Sequence, residues 1–192
     1  ARAQSEEPKS GGFMRLGLQN ASQNDNLDPG TWGTSWTGTS FNGGVYNNLV
    51  EIMPDGSVAG DLAESWEASD GAKVWHFRRL RPGITFHHGK SLDSEDVRQS
   101  FLHHMVEGST SGARAIVQQI TDIQTDGADV VVFTPGEGNA DFPYLLSDYH
   151  LSIYPALAGG GIDILAGKGT GAFLLESFEP GIETEIGADG GF

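Results

Sequence analysis

The chain has 192 residues, of which 38% are hydrophobic and 19% charged, the balance of a folded domain with a real core. Acidic residues outnumber basic ones 26 to 11, and the net charge of −15 repels phosphate backbones and anionic lipid, arguing against nucleic acid as a partner. Cysteine is absent, which removes disulfides, thiolate metal sites and a cysteine nucleophile, and no apolar run approaches the roughly 18 residues of a membrane span.

Residues 1–10, "ARAQSEEPKS", are small and polar. They are expected to be a flexible lead, like the mature N-terminus left after signal cleavage. "FMRLGL" (13–18) alternates and reads as a first strand. The polar stretch 19–44 has no periodicity and reads as a long loop, though Trp32, Trp36 and Phe41 argue against plain disorder. "VYNNLVEIM" (45–53) is the next apolar segment, and "PDGS" (54–57) is a turn.

A hairpin is expected around Asp70-Gly71, with Leu62 and Trp66 before it and Val74, Trp75 and Phe77 after. A helix follows, with Asp93 as N-cap, Asp96 at N3 and a Leu92–Val97 staple. Val97, Phe101 and Met105 give it one apolar face, and Gly108 ends it. "ARAIVQQI" (113–120) is a short helix candidate, and 120–135 reads as a second hairpin turning at Asp126-Gly127. Residues 141–155 are expected to hold a short helix and then a strand. A glycine-rich loop leads into the strand "AFLLESF", and "IETEIGADGGF" shows no further packed element, as in a chain cut short.

Four of the six histidines lie within 83–108, as His87-His88 and His103-His104. Neighbouring histidines point to opposite faces of a strand and diverge by about 100° on a helix, so neither pair converges on one metal ion. There is no HExxH or HxH spacing, and structural or exposed roles are expected. "GKGTGAF" (167–173) lacks the spacing of a phosphate loop and precedes a strand, so it reads as a tight glycine turn. Ser65 and Ser100 sit in no GxSxG elbow. Glu64/Glu67 and Asp93/Asp96 read as a solvated face and a helix N-terminus. The tryptophans of the 19–44 loop are candidates for a binding cleft or for local packing.

Several blocks then occur in a familiar order: "LDP" (27–29), residues 45–77, "RPGITFHHGKSLDSEDVRQSF" (81–101), the "DGADVVVFTP" hairpin and "GTGAFLLESFEPG" (169–181). In this order the chain resembles the N-terminal part of the family 5 extracellular solute-binding proteins of bacterial ABC importers, the peptide- and nickel-binding type. It departs from the family in three places. "WHFRRLRPG" carries an extra residue, which suggests a bulge near Arg78–Arg79; "FHHGK" replaces "FHDGK"; and "GTGAF" replaces "GTGPF".

The resemblance implies a mixed α/β fold, a periplasmic-binding-protein type II-like lobe with discontinuous subdomains, truncated before the second lobe. Residues 11–45 and 160–192 would form a hinge-proximal subdomain and 46–159 an inserted outer one. It implies a periplasmic or extracytoplasmic binding protein with no catalytic role and no cofactor. Such a protein captures a peptide or similar small solute between two lobes and, as a monomer, hands it to ABC permease transmembrane subunits. By position, the residues after LDP and after the long helix would line the cleft: Trp32, Gly33, Ser35 and Trp36, then Ser111 to Arg114. The alternatives are a nickel, metal-chelate or haem carrier of the same family, and an extracytoplasmic hydrolase using carboxylates.

Overall fold

The structure is a computed structural model and describes residues 11–80 and 82–188; the expected lead at 1–10 lies outside the described residues. The strand expected at 13–18 does not form. Phe13 and Met14 are 81% and 76% exposed, and residues 13–18 pair with no strand among the described residues. Alternation alone makes no ladder hydrogen bonds.

The stretch 19–44 is more ordered than its sequence suggests. It holds a 3-10 turn at Pro29–Thr31 and a helix, α1, at Ser35–Phe41. Thr34 caps α1, its Oγ1 accepting from Thr37 N at 3.3 Å. With Gly38 in its middle the helix has little propensity of its own. Packing supplies the rest, because Trp36 and Phe41 lie 5.7 and 5.4 Å from the ring of Phe178.

A hairpin of β1 (Val50–Ile52) and β2 (Val58–Gly60) closes over the "PDGS" turn, where Gly56 takes a left-handed φ of 83°. Next come β3 (Ala63–Ser69) and β4 (Val74–Leu80), then β5 (Ile120–Thr125) and β6 (Val130–Pro135). These four strands make one antiparallel sheet in the order β3-β4-β6-β5. Both expected hairpins are present. The bulge expected at Arg78–Arg79 is not, since Ser65 pairs with Arg78 and Ala63 with Leu80 in unbroken register. The irregularity falls on β5, between Ile120 and Asp122.

Helix α2 (Ser94–Met105) lies across this sheet. Its capping box is complete: Glu95 N and Asp96 N donate to Asp93 Oδ1, and Asp93 N donates to Asp96 Oδ2. The buried Asp96 carboxylate also accepts from Lys90 Nζ at 2.6 Å and Ala156 N at 2.7 Å. That pair of acids is thus accounted for as a helix start. Val97 and Phe101 face the core, and the Phe133 ring sits 4.8 Å from Phe101, 5.6 Å from Phe77 and 5.8 Å from Phe142. Helices α3 (Arg114–Val117) and α4 (Phe142–Leu145) are single turns that close the ends of this core. The strand expected before Pro155 forms no ladder. Ser152, Ile153 and Tyr154 are fully buried, and Ile153 N donates to Asn47 O instead.

A second apolar cluster gathers Trp32, Phe41, Val45, Tyr46, Tyr154 and Ile162, with Leu27, Leu175 and Phe178 packed against it. Tyr46 and Tyr154 stack at 4.2 Å, and the Tyr154 hydroxyl donates to Leu27 O. The glycine turn at 167–171 closes this cluster. Gly171 N donates to Val45 O at 3.0 Å, and Phe173 N to Gly44 O at 3.1 Å. Strands β7 (Phe173–Glu179) and β8 (Glu183–Ala188) then form a hairpin, so the sequence after Gly181 does contain an element. Its apolar face is short, with only Ile186 and Ala188 beside Thr184, opposite Glu183, Glu185 and Gly187.

A Cβ on Gly171 would lie 2.0 Å from Gly44 O, whereas a Cβ on Gly159 meets nothing within 4 Å. Gly171→Ala is therefore expected to destabilise the fold by about 1–3 kcal/mol, and Gly159→Ala to stay within about 0.5 kcal/mol of the parent. Urea unfolding of both variants measures the difference.

Candidate ligand-binding surface

Asp28 precedes Pro29-Gly30, and its carboxylate caps the 3-10 turn by accepting from Gly30 N at 2.9 Å. The same Oδ1 accepts from His103 Nε2 on α2 at 2.8 Å. Burial alone would raise the Asp28 carboxyl; the hydrogen bond and charge of His103, with the Gly30 N–H, outweigh it and hold the group below the ordinary carboxylate range.

Beside it, the segment after α2 is folded on itself. Ser111 Oγ accepts from Ala113 N at 3.1 Å and shares a hydrogen bond of 2.7 Å with His104 Nδ1. Arg114 is exposed, and its guanidinium donates to Ser109 O. The two segments are pinned together by Gly112 N, which donates to Gly30 O at 2.9 Å. A Cβ on Gly30 would meet Ser111 Oγ at 3.3 Å, and one on Gly112 would stand 2.3 Å from His150 Nε2. His150 in turn donates through Nδ1 to Asp148 Oδ1 at 2.6 Å.

Of the sequence-predicted residues, Ser111 is thus brought against the LDP turn. Gly33, Ser35 and Arg114 are exposed, and Ser35 Oγ donates to Gln19 O. Trp32 is 1% exposed and turned into the second cluster, with its Nε1 donating to Asn26 O. Trp36 is 7% exposed and stacked on Phe178. A cavity of about 180 Å³ opens next to Arg114, lined also by His104, Glu107, Ser109 and Gln118.

The histidines divide by role. His87 sits in a turn rather than on a strand, donating through Nε2 to Gly171 O at 2.8 Å and accepting from Gly169 N at Nδ1. It staples two loops together. His88 is exposed, as expected. His104 is 1% exposed, with Nε2 lacking any hydrogen-bond partner. Burial, reinforced by the nearby charges of His103 and His150, pushes its imidazole down to about 4, so it is neutral at pH 7. Among the described residues no three His, Asp or Glu side chains gather to hold a metal ion. Sequence reasoning missed the joint role of Asp28, His103, His104 and His150; the signal available was an Asp-Pro-Gly cap facing a histidine-bearing helix end.

Asp28→Asn keeps an acceptor for Gly30 N–H and removes the charge facing His103. Both side chains are partly exposed, so the expected loss is about 1 kcal/mol at pH 7. Because the folded carboxyl is held low, this contribution is present above the ordinary carboxylate pKa of 3.8 and fades as pH falls through the depressed value. Denaturation curves of parent and variant from pH 7 downward should converge only at that acid end.

Residues 57–187 match the sequence model of the bacterial extracellular solute-binding proteins, family 5 Middle. The chain is 33% identical over 151 residues to the probable D,D-dipeptide-binding periplasmic protein DdpA of Escherichia coli K12, covering 71% of this chain and 28% of that protein. Its fold superposes with a TM-score of 0.75 on the PBP AgaA from A. tumefaciens R10, solved with agropinic acid, at 26% identity, covering 87% of this chain and 34% of that one. A nickel ABC transporter structure from Bacillus halodurans gives a TM-score of 0.70 at 29% identity, covering 88% and 33%. The chain thus spans about a third or less of the length of these relatives. With its mixed α/β lobe and a family match across most of its length, the chain belongs to the family 5 bacterial extracellular solute-binding proteins.

Proposed function

We propose that this protein is the extracytoplasmic binding component of an ABC importer, capturing a peptide or similar small solute and delivering it as a monomer to membrane permease subunits. It acts by binding, without catalysis and without a cofactor. The names of its relatives support this reading, since DdpA is described as a periplasmic dipeptide binder and AgaA was solved with a small solute.

The observation that carries the assignment of the surface is the pin between Gly112 N and Gly30 O. It joins two stretches far apart in sequence, each carrying exposed groups that can meet a solute: Gly33 and Ser35 after one, Arg114 at the other beside the half-buried Ser111. Arg114 supplies a guanidinium suited to a carboxylate. Trp32 and Trp36 form the floor beneath the first stretch. The proposed subdomains, 11–45 with 160–192 and 46–159 between them, are supported by the two apolar clusters. One draws on 27–46 and 154–178, the other on 49–153.

Thermal unfolding of the full-length protein with short peptides, amino-acid derivatives and nickel chelates tests the reading. A solute at a hundred times its Kd stabilises by about 2.7 kcal/mol. Arg114→Ala is expected to weaken peptide binding at least about tenfold, the loss of one charged hydrogen bond. Unchanged affinity would remove Arg114 from the site, and stabilisation by nickel chelates alone would favour a metal carrier.

A further inference from the structure

Proton uptake by a buried imidazole has a direct route to this surface. His104 ends the inward face of α2, fully enclosed, and its Nδ1 holds Ser111 Oγ at 2.7 Å. Ser111 Oγ also fixes Ala113 N, and the adjacent Gly112 N carries the bond to Gly30 O. The His104 side chain therefore ties α2 to the segment that carries the main-chain bond to the LDP turn.

The surroundings of His104 do not favour a cation. Nε2 has no acceptor. The groups facing it are His103 on the same helix, with ring centroids 5.3 Å apart, Asp28 on the LDP turn, and His150 and Asp148 on the turn at 148–150. Both carboxylates are already engaged, Asp28 by His103 and Asp148 by His150. Glu107 and Arg114 border the same cavity, one of each sign. The neutral ring fits as the tautomer whose Nδ1–H donates to Ser111 Oγ, because the partnerless Nε2 is then a bare lone pair and not a buried N–H. A second proton goes to Nε2 and leaves a buried, unpaired N–H donor, which the fold relieves by letting the 109–114 segment swing out.

We propose that His104 is a positioning residue whose neutral form locks the 109–114 segment onto the LDP turn, and whose protonation releases it. The consequence for solute binding rests on the functional reading above; the lock itself does not.

The size of the effect follows from linkage. With the closed imidazole held near 4 and an open one at its ordinary 6.5, protonation favours the open state roughly twentyfold more at pH 5 than at pH 7. Hydrogen-exchange mass spectrometry on the full-length protein, corrected for intrinsic exchange, should show opening of the 109–114 peptide rising by about that factor. His104→Asn, which keeps a polar partner for Ser111 and takes up no proton, should lose this dependence. An equal rise in the variant, or a flat parent profile, overturns the proposal. If the variant does not fold, NMR of histidine-labelled parent decides. His104 titrating well below pH 6, with peptide opening tracking its midpoint, supports the lock; ordinary titration near 6.5 with the segment closed overturns it. Neither measurement requires a solute. Failure here leaves the binding function intact, and failure of solute binding leaves the lock testable.

Discussion

Two backbones approach within hydrogen-bonding distance where Gly169 and Gly171 lie against Gly44 and Val45, and the approach exists only because neither later glycine carries a Cβ. From this contact follow the seating of Phe178 on Trp36 and Phe41, the docking of His87 between Gly169 and Gly171, and the bond from Thr170 to Asn47. The polar loop after residue 19 acquires its helix because the Phe178 ring is delivered to it from far along the chain. The glycine run that superficially suggests an anion loop is spent on packing main chain against main chain.

Much of the larger core could be read directly. Its elements announce themselves by local chemistry: the Asp93/Asp96 box, the Asp70-Gly71 and Asp126-Gly127 turns, and the spacing of Val97 and Phe101. Where the outcome depended on distant partners, the sequence was a poor guide. Residues 13–18 have a strand's pattern but pair with no strand among the described residues; 152–154 are buried yet bonded to Asn47 rather than to a ladder; β8 forms because β7 lies opposite.

The proposed surface was legible in part for the same reason. Family order suggests which stretches would line it, and of the residues it nominates Gly33, Ser35 and Arg114 are exposed. The sequence carries no sign that Trp32 turns inward, since an aromatic in a glycine-rich loop has the same appearance whether it faces solvent or core. Nor does it show that four ionisable residues from α2 and two turns meet behind the segment. Each lies in its own local context, and only tertiary contact gives Asp28 a histidine partner and His104 an enclosure.

The four-stranded sheet has a further property. Among the described residues its outer strands β3 and β5 each pair with one strand only, so each presents backbone groups to whatever comes near. Glu67 and Asp122 stand exposed on those strands, in a chain carrying −15 overall. A second copy offering its own edge would have to bring like charges together and strip them of water. The acidity that argues against nucleic acid as a partner thus also disfavours growth of the sheet from one molecule into the next.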